Sequence, residues 1–225
     1  MDTMPTPFPN RRAAGRRLAE LLGAYASRPN TLVLGLPRGG VPVAYEVASA
    51  LSLPLDVFVV RKLGVPQNEE LAFGAIAPGG VRVLHADLIE LLGLNAAEIE
   101  RIAAREQREL TRRDTQYRGG APPPIITGQT VILVDDGLAT GASMSAAVAA
   151  IRAQHPHRII VAVPVASTDA YRAVRGIADE IVSVMTPEPF DGVGRWYADF
   201  GQTSDEEVRH LLRDARPLPA PRGEP

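Results

Sequence analysis

Cysteine is missing from the 225 residues, which excludes disulfides, thiolate metal centres and a cysteine nucleophile. Aromatic residues are scarce at 5%. No apolar run approaches the roughly 20 residues that span a bilayer, and the N-terminus has no secretory-leader pattern. Neither sign of charge dominates: 24 basic residues face 26 acidic ones for a net charge of −2. Bulk charge therefore points to neither nucleic acid nor an anionic membrane as partner. A Gly-x-Ser-x-Gly elbow, a Walker lysine, a dinucleotide Gly-x-Gly-x-x-Gly and internal repeats are all absent. The expectation is a soluble, cytoplasmic protein whose length suits one α/β domain with a sizeable core.

Against that background, residues 131–143 carry the densest chemistry. Val131, Ile132, Leu133 and Val134 form a short apolar run of the buried-strand kind, stopped by Asp135 and Asp136. A small-residue turn follows, Gly137-Leu138-Ala139-Thr140-Gly141-Ala142-Ser143, and then an Ala-rich stretch that favours helix. Strand, acidic pair, turn and helix make half of a βαβ unit. The polar residues lie at the strand's carboxyl end, where open α/β sheets bind ligands. Backbone amides and two hydroxyls at a helix N-terminus suit a phosphate. The two carboxylates do not; they suit sugar hydroxyls or Mg²⁺. A phosphorylated sugar satisfies both halves. The plainer alternative is a strand end whose two solvated aspartates cap a helix, and the Thr-Gly-Ala-Ser run at this offset weighs against it.

A second strand pattern, Thr31–Gly35, ends in Leu36-Pro37-Arg38-Gly39-Gly40 and leads into a helix pattern. Gly39 and Gly40 let amides approach an anion, and Arg38 adds a forked cation. Residues 55–60 read as the next strand, which delivers Arg61 and Lys62 to the same edge; a surface strand end is the plain alternative.

At residues 131–143 the chain resembles the type I phosphoribosyltransferases. Their signature is an apolar strand, two acidic residues and a Thr-Gly-x-Thr/Ser turn, and the likeness extends in outline over about residues 31–200. The resemblance implies an α/β fold: an open, mainly parallel twisted sheet flanked by helices, with an inserted hairpin and helical segment and a C-terminal hood. It implies binding of phosphoribosyl pyrophosphate, with Asp135 and Asp136 on the ribose hydroxyls. Ala139, Thr140, Gly141, Ala142 and Ser143 would surround the 5′-phosphate, Arg38, Gly39, Gly40, Arg61 and Lys62 the pyrophosphate, and Gly137 would also belong to the binding residues. A non-proline cis peptide at Pro37–Arg38 is implied too. So is Mg²⁺ as cofactor, held by Asp135 and Asp136 mostly through the ligand or water.

The remaining segments fit this plan. Residues 1–9 read as a disordered, Pro-rich start, 10–214 as a single domain, and 215–225 as a Pro-rich tail. Arg11, Arg12, Arg16 and Arg17 read as the solvated face of a first helix capped by Asn10. Between about 64 and 128 the alternation breaks into an insertion. Residues 71–76 and 81–84 form a hairpin around Pro78-Gly79-Gly80, and 86–92 and 96–117 form helices. Arg112, Arg113, Tyr117 and Arg118 then either swing over the substrate, as the family's mobile loop does, or form a solvated helix end. The hood is expected at about 186–203. Phe190, Trp196, Tyr197 and Phe200 lie there beside glycines, four of the chain's eleven aromatics (five Phe, five Tyr, one Trp). That density suits stacking on a planar ring. It loosely resembles the base-stacking hood of hypoxanthine-guanine members, with Phe190 and Trp196 as acceptor contacts; core packing is the alternative.

The implied reaction moves the phosphoribosyl group to an acceptor nitrogen, a nucleobase by resemblance, with loss of pyrophosphate. Its difficulty is charge, because the anomeric carbon becomes cationic as the leaving group departs. Arg38 and Lys62 would stabilise pyrophosphate while Asp135 and Asp136 orient the sugar. Ala139 stands where hypoxanthine-guanine members carry an acid, as it does in adenine and xanthine members, so a 6-oxopurine handled by that acid is disfavoured. The partners expected are small-molecule substrates, with a homodimer left open. Two other classes remain: a non-catalytic sensor of phosphoribosyl pyrophosphate or a nucleotide, for which no appended DNA-binding helices are visible, and a hydrolase reusing the phosphate cradle.

Overall fold

The computed structural model describes residues 6–65 and 68–215. In chain order the elements are α1 (Arg11–Leu21), β1 (Thr31–Gly35), α2 (Gly40–Leu51), β2 (Leu55–Val57), β3 (Arg61–Val65), β4 (Asn68–Ala77) and β5 (Val81–Leu84). Then come α3 (Ala86–Leu91), α4 (Ala96–Arg118), β6 (Thr130–Val134), α5 (Ala142–Arg152), β7 (Arg158–Val165), α6 (Thr168–Arg175), β8 (Glu180–Met185) and α7 (Asp205–Asp214).

The apolar runs of β1, β2, β6, β7 and β8 form one sheet in the order β2-β1-β6-β7-β8, every neighbouring pair parallel. Alternation assigns successive side chains to opposite faces. Val33, Ile132, Val134, Ile160 and Ala162 pack with α1 and α2. Leu32, Leu34, Val131, Leu133, Ile159 and Val161 pack with α5 and α6. Burial on both faces explains why these strands read as continuous apolar runs. From β1 the chain moves outward to β2, and from β6 it moves the other way to β7 and β8. The order therefore reverses between β1 and β6, and the loops after these two strands stand side by side at the carboxyl edge.

Three expectations are corrected by the fold. The apolar run 55–60 is not one strand: β2 stops at Val57, and Arg61 and Lys62 open β3 of a separate antiparallel sheet, β3-β4-β5. The inserted arm thus begins at Arg61 and has three strands; its second hairpin turns at 78–80 as read. The start of the chain is not wholly disordered, because Phe8 is buried, its amide donates to Trp196 O at 2.8 Å, and its carbonyl accepts from the Ala198 amide at 2.8 Å. Residues 1–5, and the tail from 216 onward, lie outside the described residues.

The end of α4 is tied to other elements at Tyr117 and Arg118, while Arg112 is exposed, as the solvated-end alternative has it. The Arg118 side chain is 3% exposed and is ion-paired with Asp56 in the middle of β2 and with Asp114. Tyr117 Oη donates to Asp205 Oδ1 at 2.8 Å, and burial together with that carboxylate pushes its phenol up to about 12. Arg112 and Arg113 both pair with Glu109 on their own helix.

Candidate functional site

The site is built from the two loops at the switch point. The peptide Pro37–Arg38 is cis, as the resemblance implied. Gly40 tucks under the end of β6, where an added methyl would lie 2.7 Å from Val134 O and 2.8 Å from Asp135 Cα. A methyl on Gly39 would overlap Asp136 Oδ2 outright. Both glycines are therefore required by the close approach of the first loop to the acidic pair.

The carboxylates differ in their surroundings. Asp135 Oδ1 accepts from the Asp136 amide at 2.8 Å, and no cation pairs with Asp135 among the described residues. Burial, and next the neighbouring Asp136 charge, push the Asp135 carboxyl well above the usual range. Burial also raises Asp136, opposed by Arg11, whose Nε donates to Asp136 Oδ2 at 2.8 Å. Asp135 Oδ2 and Asp136 Oδ1 have no hydrogen-bond partner among the described residues, yet neither is sealed from solvent. Carboxylate oxygens without a partner can accept from hydroxyl donors such as those of a sugar.

Beyond them the chain turns into α5. Gly141, the N-cap, is left-handed at φ 73°, which selects glycine. The amides of Thr140, Gly141, Ser143 and Met144 find no acceptor among the described residues, and that of Ala142 reaches only Thr140 Oγ1, at 3.4 Å. The side chains of Ala139, Thr140 and Ser143 are exposed, whereas Gly141 and Met144 are buried. Unsatisfied donors at a helix start are the makings of an anion cradle.

The other sequence candidates divide. Arg38 stays at the loop, half-buried, with one guanidinium nitrogen 3.7 Å from Asp205 Oδ1. Arg61 does not join it, because strand alternation turns it toward α4, where Nε and Nη2 donate to the buried Glu106 at 2.8 and 2.5 Å. Lys62 points to the other face of β3. Its cross-strand partner is Ala75, on the side where Ala77 packs with α5. Gly137 belongs to the hood packing as much as to the cradle, since an added methyl would sit 2.6 Å from Val193.

Trp196 is a correction. It is 2% exposed and packs with Phe8, Ala14, Val165 and Tyr197, so it has no face to offer an acceptor. Phe190 is half-buried against the same cluster. Arg11 is the residue that sequence reasoning missed: Arg12, Arg16 and Arg17 lie on the solvated face as read, the first two paired with Glu46 and the third with Glu20, and Arg11 does not. No local spacing signals a contact across 125 positions.

The model of the phosphoribosyl transferase domain family matches residues 7–193, spanning both loops and the sheet between them. The chain belongs to this family. Two curated relatives in Mycobacterium tuberculosis, from strains CDC 1551 and H37Rv, are provisionally named phosphoribosyl transferases. Each is 48% identical over 205 residues, covering 91% of this chain and 46% of its own length. The chain thus spans about half the length of these relatives. The crystal structure of TT1426 from Thermus thermophilus is 44% identical, with a TM-score of 0.85 over 92% of this chain and 98% of that one. Among the described residues no helix is long and apolar enough to cross a membrane.

Proposed function

We propose that this phosphoribosyl transferase domain moves the phosphoribosyl group of phosphoribosyl pyrophosphate to an acceptor nitrogen, a nucleobase by family resemblance, releasing pyrophosphate. The observation that carries the reading is that the amides of Thr140, Gly141, Ser143 and Met144 have no acceptor among the described residues, a few positions after two carboxylates that each keep an oxygen without a partner. A 5′-phosphate on the amides leaves the sugar's hydroxyls within reach of Asp135 Oδ2 and Asp136 Oδ1. The Arg38 loop, held against the same carboxylates by Gly39 and Gly40, then faces the leaving pyrophosphate.

The donor set also fits Mg²⁺. Among the described residues no group of three or more His, Asp or Glu side chains can hold a metal alone. Mg²⁺ keeps several waters and takes one or two carboxylates plus phosphate oxygens, so Asp135 and Asp136 suffice once substrate brings the rest. Bound there, it would neutralise charge on the leaving group. The chain's own residues do the remaining work. The cradle fixes the phosphate, the carboxylates orient the sugar, and Arg38 balances the departing anion. Positioning of this kind lowers the barrier by removing orientational freedom before the reaction.

The test is a pair of measurements. Phosphoribosyl pyrophosphate with Mg²⁺ at ~100 times its dissociation constant should stabilise the fold by ~2.7 kcal/mol. Pyrophosphate release should then appear on adding one member of a panel of purines, pyrimidines and small amines. Stabilisation without release across the panel would favour a sensor, and no stabilisation would remove the reading.

A further inference from the structure

We propose that Arg11 is a positioning residue for the ribose end of the substrate, holding the Asp136 carboxylate in place together with Tyr197 and Phe200. The inference rests on the ribose site proposed above. Arg11 is the first residue of α1, and its side chain is 12% exposed. It is held at three points. Nε donates to Asp136 Oδ2 at 2.8 Å, Nη1 donates to Gly201 O at 2.6 Å, and the guanidinium lies 3.9 Å from the centre of the Phe200 ring.

The contacts close on themselves. Phe200 stacks on Tyr197 at 5.0 Å, and Tyr197 Oη donates to the backbone carbonyl of Asp136 at 2.5 Å. Asp136 is therefore gripped by its side chain from the N-terminal helix and by its backbone from the C-terminal hood. The grip is one-sided, since Arg11 engages Oδ2 through a single nitrogen and leaves Oδ1 for a ligand. Oδ2 is also the atom that a side chain at position 39 would strike, and that added methyl would lie 3.3 Å from Arg11 Nε. The Arg11–Asp136 pair thus forms the wall shared by the two loops.

The base of this grip is itself fixed. α1 lies so close on α2 that a methyl on Gly15 would sit 2.7 Å from Val43 O, and α2 begins directly after the first loop. An ion pair serving stability alone has no need of a planar fork, a stacked ring and a backbone anchor converging on the acid beside the cradle. Lysine could supply charge but neither fork nor stack.

The experiment titrates ribose 5-phosphate and inorganic pyrophosphate with Mg²⁺ into the full chain, its Arg11→Ala and Arg11→Lys variants, and Phe200→Leu. Arg11→Ala should weaken ribose 5-phosphate about 10-fold or more and leave pyrophosphate within about twofold. Arg11→Lys should recover little of the loss, and Phe200→Leu should show about a threefold loss for ribose 5-phosphate alone. Unchanged ribose 5-phosphate affinity in Arg11→Ala, equal losses for both ligands, or full rescue by lysine would overturn the proposal. If Arg11→Ala lacks a cooperative melt, Phe200→Leu decides by the same selectivity, and unchanged affinity there overturns it. A wild-type chain that binds neither ligand would instead remove the proposed function, and this inference with it.

Discussion

α1, α4, α6 and α7 begin under the side chains of Asn10, Asn95, Ser167 and Ser204, each of which accepts from a first-turn amide. α2 and α5 begin instead at Gly39 and Gly141, which have no side chain to offer. The difference follows the map of the sheet, since the glycine-started helices are the two that leave the carboxyl ends of β1 and β6. A cap satisfies a helix start internally and adds ~1 kcal/mol to stability. Leaving the cap out gives up that stabilisation; at α5 it keeps donors available for an anion, whereas at α2 the Gly40 and Val41 amides donate to Leu36 O and Arg38 O of the loop. One chain uses both designs, so the capped helices serve as internal controls for the glycine-started pair; α3, where His85 makes no cap bond either, lies in the inserted arm, away from the parallel sheet.

The largest expected effect comes from closing the gap between the two loops. Gly39→Ala places a methyl on Asp136 Oδ2. Relief needs a backbone shift, and overpacking of this kind costs ~1–3 kcal/mol, so phosphoribosyl pyrophosphate should bind ~5- to 150-fold more weakly. Calorimetry checks this, and wild-type affinity would mean that the loops do not act together. Next in size are the two anion sites taken separately. Thr140→Ala with Ser143→Ala should weaken ribose 5-phosphate about 10-fold, the sum of two ordinary hydrogen bonds. Arg38→Ala should weaken pyrophosphate by a similar ~10-fold and spare ribose 5-phosphate. Equal losses for both ligands in both variants would show that the cradle and the Arg38 loop have been assigned wrongly.

The contrast between local and distant structure also explains what could be read from the sequence. The acidic pair and cradle are legible because strand, carboxylates, turn and helix lie within thirteen consecutive residues, 131–143. The first loop is legible for the same reason, and so is the cap at Asn10. The walls of the site are not. Arg11 meets Asp136 across 125 positions, Tyr117 meets Asp205 across 88, and Arg118 meets Asp56 across 62. Periodicity assigns a residue to a face, not to a partner, so Arg11 and Arg12 look alike until α1 is docked. The aromatic cluster at 190–200 misled in another way. Density of rings signals burial as readily as ligand stacking, and Trp196 went to the core. The run 55–60 concealed a strand break because leaving one sheet for another changes hydrogen-bond partners without changing apolar composition.

On the capped side, Asn95→Ala breaks a reciprocal capping box with Glu98, in which each side chain accepts from the other's backbone. It should cost ~1 kcal/mol, or ~2–4 °C in melting temperature for a domain of this size, with no change in ligand affinity. A change in affinity as large as that expected for Thr140→Ala with Ser143→Ala would erase the distinction between the two kinds of helix start.

The smallest expected effect has the opposite sign. Burial and the Asp136 charge raise the Asp135 carboxyl well above its unfolded value, so around neutrality the folded chain bears the cost of an ill-placed negative charge. The sign follows from proton binding. Between the ordinary carboxylate range and the raised value, the folded state holds more protons than the unfolded one, so stability falls as pH rises through that window. Asp135→Asn removes the charge and keeps an oxygen that can accept from the Asp136 amide. It should raise the melting temperature at pH 7.5, and the gain should shrink toward nothing as pH is lowered to about 4, the ordinary aspartate range. The same variant should weaken ribose 5-phosphate, because Asn offers one acceptor and an amide donor where two acceptor oxygens stood. Melting curves from pH 4 to 8 with and without ribose 5-phosphate separate the two effects. A variant that is less stable at every pH would show that the Asp135 charge supports the fold, and that the uncapped edge carries no stability cost for its chemistry.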